Sequence, residues 1–130
     1  MGQGRRLHDQ DAARRLSAVD AALAALADPA RRRAVELIGE RPRSAGELAA
    51  ALGLAPPAMS RHLRALKAGG LVEDSHPIFD ARVRIYALKP GATDALKRWL
   101  ADTEALWADQ LAAFRRHIEH DAEDAAGGGE

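Results

Sequence analysis

At 130 residues, 47% hydrophobic and 29% charged, the chain has room for one buried core but not for two, and its formal net charge of zero argues against an indiscriminate polyanion binder. The absence of cysteine excludes disulfides, thiolate metal sites and cysteine nucleophiles. No apolar run approaches the ~18 residues of a membrane span, and the start MGQGRRLHDQD lacks the apolar stretch of a signal peptide, so a cytoplasmic protein with no membrane partner is expected.

The apolar residues are mostly Ala and Leu, which points to a mainly α protein with little strand. Charge is unevenly placed. Asp28 to Pro90 carries 11 Lys/Arg against 7 Asp/Glu, whereas Gly91 to Glu130 carries 4 against 9, so the middle is basic and the end acidic.

Residues 1–10 are polar with two glycines and read as a flexible N-terminus. From Asp11 a helix is predicted, because Leu16, Val19, Leu23 and Leu26 step by 3, 4 and 3. That narrow seam suits packing against another helix, either within the subunit or on a partner chain. Asp28-Pro29 then reads as an N-cap with proline at the first helical position, opening a short helix through about Ile38 with Ala34, Val35, Leu37 and Ile38 inside. Arg31, Arg32 and Arg33 crowd its start, where the helix dipole disfavours cations, so a compensating anion is expected, either a carboxylate or a DNA phosphate.

Gly39 and Pro42 break the pattern. Ser44-Ala45-Gly46-Glu47 has the form of a capping box, opening a helix to about Leu52 that Gly53 ends. Only Leu54 and Ala55 separate that glycine from the next start, PPAMSRHLRALKAGG. Here Met59, Leu63 and Leu66 form an apolar face, while Ser60, Arg61, Arg64 and Lys67 form a polar cationic one. Pro56 suits the first turn, and Gly69-Gly70 supplies the left-handed stop. Two helices joined by a short glycine turn, the second with a cationic face, make a helix-turn-helix, whose second helix enters the DNA major groove.

Leu71 to His76 and Arg82 to Leu88 alternate with period two about the bend Pro77 to Ala81, which predicts a β-hairpin and hence a winged helix. Arg82 and Arg84 fall on one side of their predicted strand, within reach of backbone phosphates or the minor groove. Pro90-Gly91 opens a last helix through about His120, with Leu96, Leu100, Thr103, Trp107, Leu111, Phe114 and Ile118 in a stripe that Trp99 and Leu106 widen. Some 30 residues of helix span ~45 Å, more than a small domain covers, so a second subunit is expected there. Residues 121–130, DAEDAAGGGE, read as a disordered acidic tail. The predicted fold is mainly α with a small β-hairpin, a winged helix-turn-helix over residues 11–120 flanked by N- and C-terminal dimerisation helices.

ALADPARRRAVELI, RSAGELAAALGLAPPAMSRHLRALKAGGLVE and RVRIYAL together resemble the ArsR family of dimeric winged-helix repressors over about Ala24 to Leu88. SRHLRALKAGGLV is the most specific piece, and WLADTEALWADQLAAFRRHIE is similar to the C-terminal dimerisation helix of a cysteine-free subgroup. The resemblance implies a homodimer that binds an imperfect palindromic operator in double-stranded DNA and releases it on binding an effector. It implies DNA contacts from Ser60, Arg61 and Arg64, with Pro57, His62 and Lys67 nearby and Arg82 and Arg84 on the wing. Dimer contacts would come from Leu16, Val19 and Leu23 at one end and Leu100, Trp107, Leu111, Phe114 and Ile118 at the other. The chain departs from the family in three places. No cysteine stands at Ser44 to Ala49, which excludes arsenic or cadmium sensing there. Ala55 replaces the usual hydroxyl cap of the recognition helix, and the wing tip is apolar and acidic.

Arg61 and Arg64 are the first candidates for base reading, because a guanidinium fork matches the O6 and N7 acceptors of guanine. His62 lies between the two faces and could equally pack beneath the helix. His117 and His120, at i and i+3, are the only candidates for a metal, with Glu104, Asp102 or Asp121 as further ligands. No cofactor is expected, and an enzyme is not expected either, since GxSxG, phosphate-loop and HExxH patterns are absent. Two other readings stand beside DNA regulation: a winged helix serving as a protein-interaction module, and a His/carboxylate zinc-type sensor. The effector is unknown from sequence.

Overall fold

Helix starts in the first part of the chain are set by side-chain caps that satisfy otherwise orphaned N–H groups. The Asp28 carboxylate accepts from the Ala30 N–H at 2.8 Å and opens the second helix. Ser44 Oγ accepts from the Glu47 N–H at 3.1 Å while Glu47 reaches back to Ser44, completing the capping box. The computed structural model describes residues 2–77, 80 and 82–127, with side chains from residue 9 onward.

The elements in chain order are α1 (Gly2–Leu26), α2 (Pro29–Glu40), β1 (Arg43–Ser44), α3 (Ala45–Leu52), α4 (Pro56–Ala68), β2 (Val72–Ser75), β3 (Ile85–Leu88) and α5 (Asp94–Gly127). The strands form one antiparallel sheet in the order β1-β3-β2, with Asp74 opposite Tyr86 and Arg43 opposite Tyr86 on the other side. The predicted winged helix-turn-helix is therefore present. Among the described residues no helix is long and apolar enough to cross a membrane.

The chain divides into two compact units, residues up to Leu96 and residues from Lys97 on. In the first, Ala34, Leu48, Met59 and Leu66 are fully buried, and Ile38, Leu63, Leu71, Val72 and Tyr86 join them in one cluster. At about 1.5–3 kcal/mol for each large buried side chain, this cluster is the main favourable term holding α2, α3, α4 and the sheet together. The second unit is almost all of α5, a single helix in which no residue is buried.

Several expectations are corrected. Helical backbone already runs from Gly2, although residues 1–10 read as flexible, and α2 continues to Glu40 through Gly39. α5 runs on to Gly127 rather than ending near His120. Its last turns include Ala122, Ala125 and Ala126, strong helix formers, and the i,i+4 pairs His117–Asp121 and His120–Asp124 lie along them. The hairpin strands are shorter than predicted, so Arg82 and Arg84 lie in the loop before β3 rather than on a strand. β1 was not predicted, because a two-residue strand has no periodicity and exists only through its pairing with β3.

Val19 is 4% exposed and is buried within the subunit together with Ala22 and Ala25, three residues apart on one side of α1. Its assignment to a dimer interface is thereby corrected. Leu16 and Leu23, at 54% and 44%, remain exposed. The small residues of that side let α4 come close: a Cβ on Gly69 would lie 2.6 Å from Ala25 Cβ and 3.0 Å from the Ala21 carbonyl. Gly69 is therefore required by contact with α1, and the left-handed conformation after α4 falls to Gly70.

Candidate nucleic-acid interface

Gly53 ends α3 in the left-handed conformation, φ 64° and ψ 34°, and the Leu54 N–H closes the turn on the Ala49 carbonyl at 2.9 Å. That turn sets the direction of α4. Met59, Leu63 and Leu66 on its inner face are buried to within 1% of complete, which leaves Pro57, Ser60, Arg61, Arg64 and Lys67 exposed on the outer face. Ala55 caps the helix with no side-chain hydrogen bond, so the hydroxyl that the family pattern carries there is missing.

The exposed residues do not all sit in one place. Ser60 and Arg64 line a groove between α4, the start of α3 at Ser44, the loop before β3, which contributes Arg82 and Arg84, and β3 itself, which contributes Tyr86. Pro57 and Arg61 lie outside that groove on the exposed surface of α4. His62 is half-buried. The Ala30 N–H is the main cause of the Asp28 carboxyl lying below the usual carboxylate range, with His62 and Arg31 adding to it.

Lys67 and Arg84 meet at a residue that sequence reasoning missed. Asp74, on β2, has a side chain only 11% exposed; its Oδ1 lies 2.6 Å from Lys67 Nζ and its Oδ2 lies 3.5 Å from Arg84 Nη1. The hydrogen bond from Lys67, followed by the charges of Lys67 and Arg84, holds the Asp74 carboxyl below its ordinary range despite partial burial. Arg82 is 94% exposed, with Nε 3.5 Å from Asp80, whose Oδ1 also accepts from the Arg82 N–H at 3.0 Å. The apolar wing-tip residues Ile78, Phe79 and Ala81 lie outside the described residues.

Among the described residues, one member of the arginine triplet of α2 is paired within the chain, and with carbonyls rather than with a carboxylate. Arg32 donates to the carbonyls of Leu26 and Ala27, at 2.7 and 3.2 Å, and so caps the negative end of α1. Arg31 Nε is buried with no hydrogen-bond partner, and Arg33 is exposed.

On α5, Leu100, Trp107, Leu111, Phe114 and Ile118 are between 46% and 64% exposed. His117 Nε2 lies 3.4 Å from Asp121 and His120 Nε2 lies 3.3 Å from Asp124, so each imidazole faces its own carboxylate one turn on. Among the described residues no three His, Cys, Asp or Glu side chains are grouped to hold a metal.

A helix-turn-helix domain family profile matches residues 26–74, the span from the end of α1 through β2. The chain is 35% identical over 105 residues to an HTH-type transcriptional regulator of Mycobacterium tuberculosis, covering 81% of this chain and 92% of that protein. It is similar in structure to an ArsR-like transcriptional regulator from Rhodococcus sp. RHA1, with a TM-score of 0.68 and 30% identity over 78% of this chain and 92% of the other. A homodimeric winged helix-turn-helix DNA-binding domain from Mycobacterium bovis, described as a possible ArsR-family transcriptional regulator, superposes with a TM-score of 0.52 and 27% identity over 72% and 81% of the two chains.

Proposed function

The chain belongs to the ArsR family of helix-turn-helix transcriptional regulators, and from that premise we propose that it is a cytoplasmic homodimeric repressor that reads a palindromic operator through α4. The observation that carries this reading is the division of α4: an inner face of Met59, Leu63 and Leu66 fixed in the core, and an outer face offering Ser60, Arg61 and Arg64 to solvent. A rigidly seated helix with exposed guanidinium forks has the form a major-groove reader needs. Arg82, in the groove beside Ser60 and Arg64, is free enough to reach a backbone phosphate.

The homodimer is supported by the sequence of α5. Laid antiparallel against a second copy about Asp109, the helix sets Leu100 opposite the partner's Ile118 and Trp107 opposite the partner's Leu111. The same register brings Asp102 to the partner's Arg116 and Lys97 to the partner's Asp121. The same register sets Asp109 opposite its own copy and Phe114 opposite the partner's Glu104, so it is the apolar stripe, rather than one fixed register, that supports the pairing. Leu16 and Leu23 on α1 are a separate pair of exposed apolar residues available to a second chain.

Selection of bound duplexes from a random library tests the reading. It should return an imperfect palindrome with half-sites about one helical turn, ~34–36 Å, apart. With 6–10 phosphates neutralised, affinity for the selected duplex should fall ~10³–10⁵-fold between 50 and 200 mM salt. Binding to no duplex, or salt-insensitive binding, would favour the protein-interaction module instead. Arg64→Ala should cost about 1–3 kcal/mol and relax preference at one base pair; unchanged sequence preference would remove Arg64 from the readers. The zinc-sensor reading receives no comparable support, since His117 and His120 face separate carboxylates. A saturable zinc titration abolished by His117→Ala would restore it.

A further inference from the structure

Lys67 and Arg84 come from two different elements, the last turn of α4 and the loop before β3, and one carboxylate pairs with both. Each oxygen of Asp74 faces a different cation, and the carboxylate is itself nearly enclosed while both cations are 55% exposed. β2 is fixed by its pairing with β3, Asp74 opposite Tyr86, and by the buried Val72, so the carboxylate cannot follow the cations outward. Long cationic side chains at a DNA surface ordinarily swing to whichever phosphate lies in reach, and such contacts add affinity without regard to sequence. A lysine held at 2.6 Å by an anchored carboxylate is withdrawn from that role.

We propose that Asp74 is a specificity-determining residue: by holding Lys67 and Arg84 it withholds two sequence-blind phosphate contacts, so that Ser60, Arg61 and Arg64 carry a larger share of binding. The proposal rests on the DNA-binding reading of α4 given above. It assigns unequal effects to two adjacent acidic residues. Glu73 is exposed on the other face of β2, with no cation paired to it among the described residues, so its charge acts only at long range.

Affinity for the selected duplex and for an unrelated duplex of equal length, followed from 50 to 200 mM salt, tests the assignment. Asp74→Asn keeps the shape and removes the charge. On the unrelated duplex its log–log salt slope should steepen by about 1–2, at roughly 0.9 per phosphate gained, with affinity at the low-salt end rising ~3–10-fold. The ratio of selected to unrelated binding should fall by a similar factor. Asp74→Glu, which restores a carboxylate, should return the slope toward wild type. Adding Lys67→Gln and Arg84→Gln to Asp74→Asn should abolish the gain.

Three results would overturn the proposal: a slope unchanged in Asp74→Asn, an equal steepening in Glu73→Gln, or an equal loss on both duplexes with thermal unfolding unaltered. Were Asp74→Asn to fold poorly, Asp74→Ser gives the same comparison and is judged by the same outcomes. Wild-type protein that binds neither duplex would instead bring down the DNA-binding reading itself, a result visible before any variant is made.

Discussion

The recognition helix and the last helix are both amphipathic, yet the chain completes only one of them. α4 places Met59, Leu63 and Leu66 in the core of its own subunit, whereas α5, at 34 residues, buries none of its side chains and leaves Trp107, Leu111 and Phe114 about 60% exposed. An exposed apolar stripe of this length is uncommon on a monomer and is the surface assigned above to the proposed dimer. In the proposed homodimer one helix draws its stability from within the chain and the other from association, so the two respond to different variables. Stability of the first depends on packing alone; that of the second depends also on protein concentration.

The sharpest break of that contrast is Trp107→Glu. It places a charge at the centre of the proposed α5 pairing on both copies, and should weaken dimerisation by roughly 4 kcal/mol or more, in the range of interface hot spots. Sedimentation equilibrium should show monomer at concentrations where the wild type is dimeric; an unchanged dimer would move the interface off α5. Leu66→Ala comes next. It removes a fully buried side chain and should lower folding stability by about 2–5 kcal/mol in denaturant titration. Its loss should be the same at every protein concentration once the dimer contribution is subtracted, and a concentration-dependent loss would erase the distinction between the helices.

A smaller effect is expected from Ser44→Ala, which removes the hydroxyl that caps α3 and should cost about 0.5–2 kcal/mol, with no change in dimerisation. Acid supplies the gentlest test. The carboxyls of Asp28, Glu47 and Asp74 are held below their usual values, chiefly by the Ala30 N–H, by Arg41 and by Lys67 respectively. A depressed folded value means that the stabilisation is fully present above the unfolded value and disappears as pH falls through the folded one. Melting temperature should therefore hold near neutrality and decline below about pH 4. All three groups lie in the first unit, so acid should act there; a melting temperature unchanged from pH 5 to pH 3 would contradict these shifts.

Local features were legible in the sequence because their causes are local. The Asp28 cap, the Ser44–Glu47 capping box, the Gly53 turn and the two faces of α4 each depend on residues within about one or two helical turns, and all are present as read. What could not be read depends on residues distant in sequence. Asp74 was simply one acid in an alternating strand until the sheet carried it to Lys67 and Arg84. The position of Arg32 near a helix start predicts an anion beside it, and the partner it has is a pair of carbonyls at the end of the preceding helix. Val19 shares a heptad seam with Leu16 and Leu23, and period alone cannot say which members of a seam face inward.

The contact at Gly69 has a mechanical consequence. With no room for one further carbon between the end of α4 and Ala25, that joint has no slack, and its stiffness comes from small side chains and backbone rather than from long flexible ones. α1 therefore acts as a strut on the recognition helix. In the proposed dimer, a second chain seated on Leu16 and Leu23 would pass a rotation of α1 to α4, and the separation of the two recognition helices would then depend on how the subunits dock.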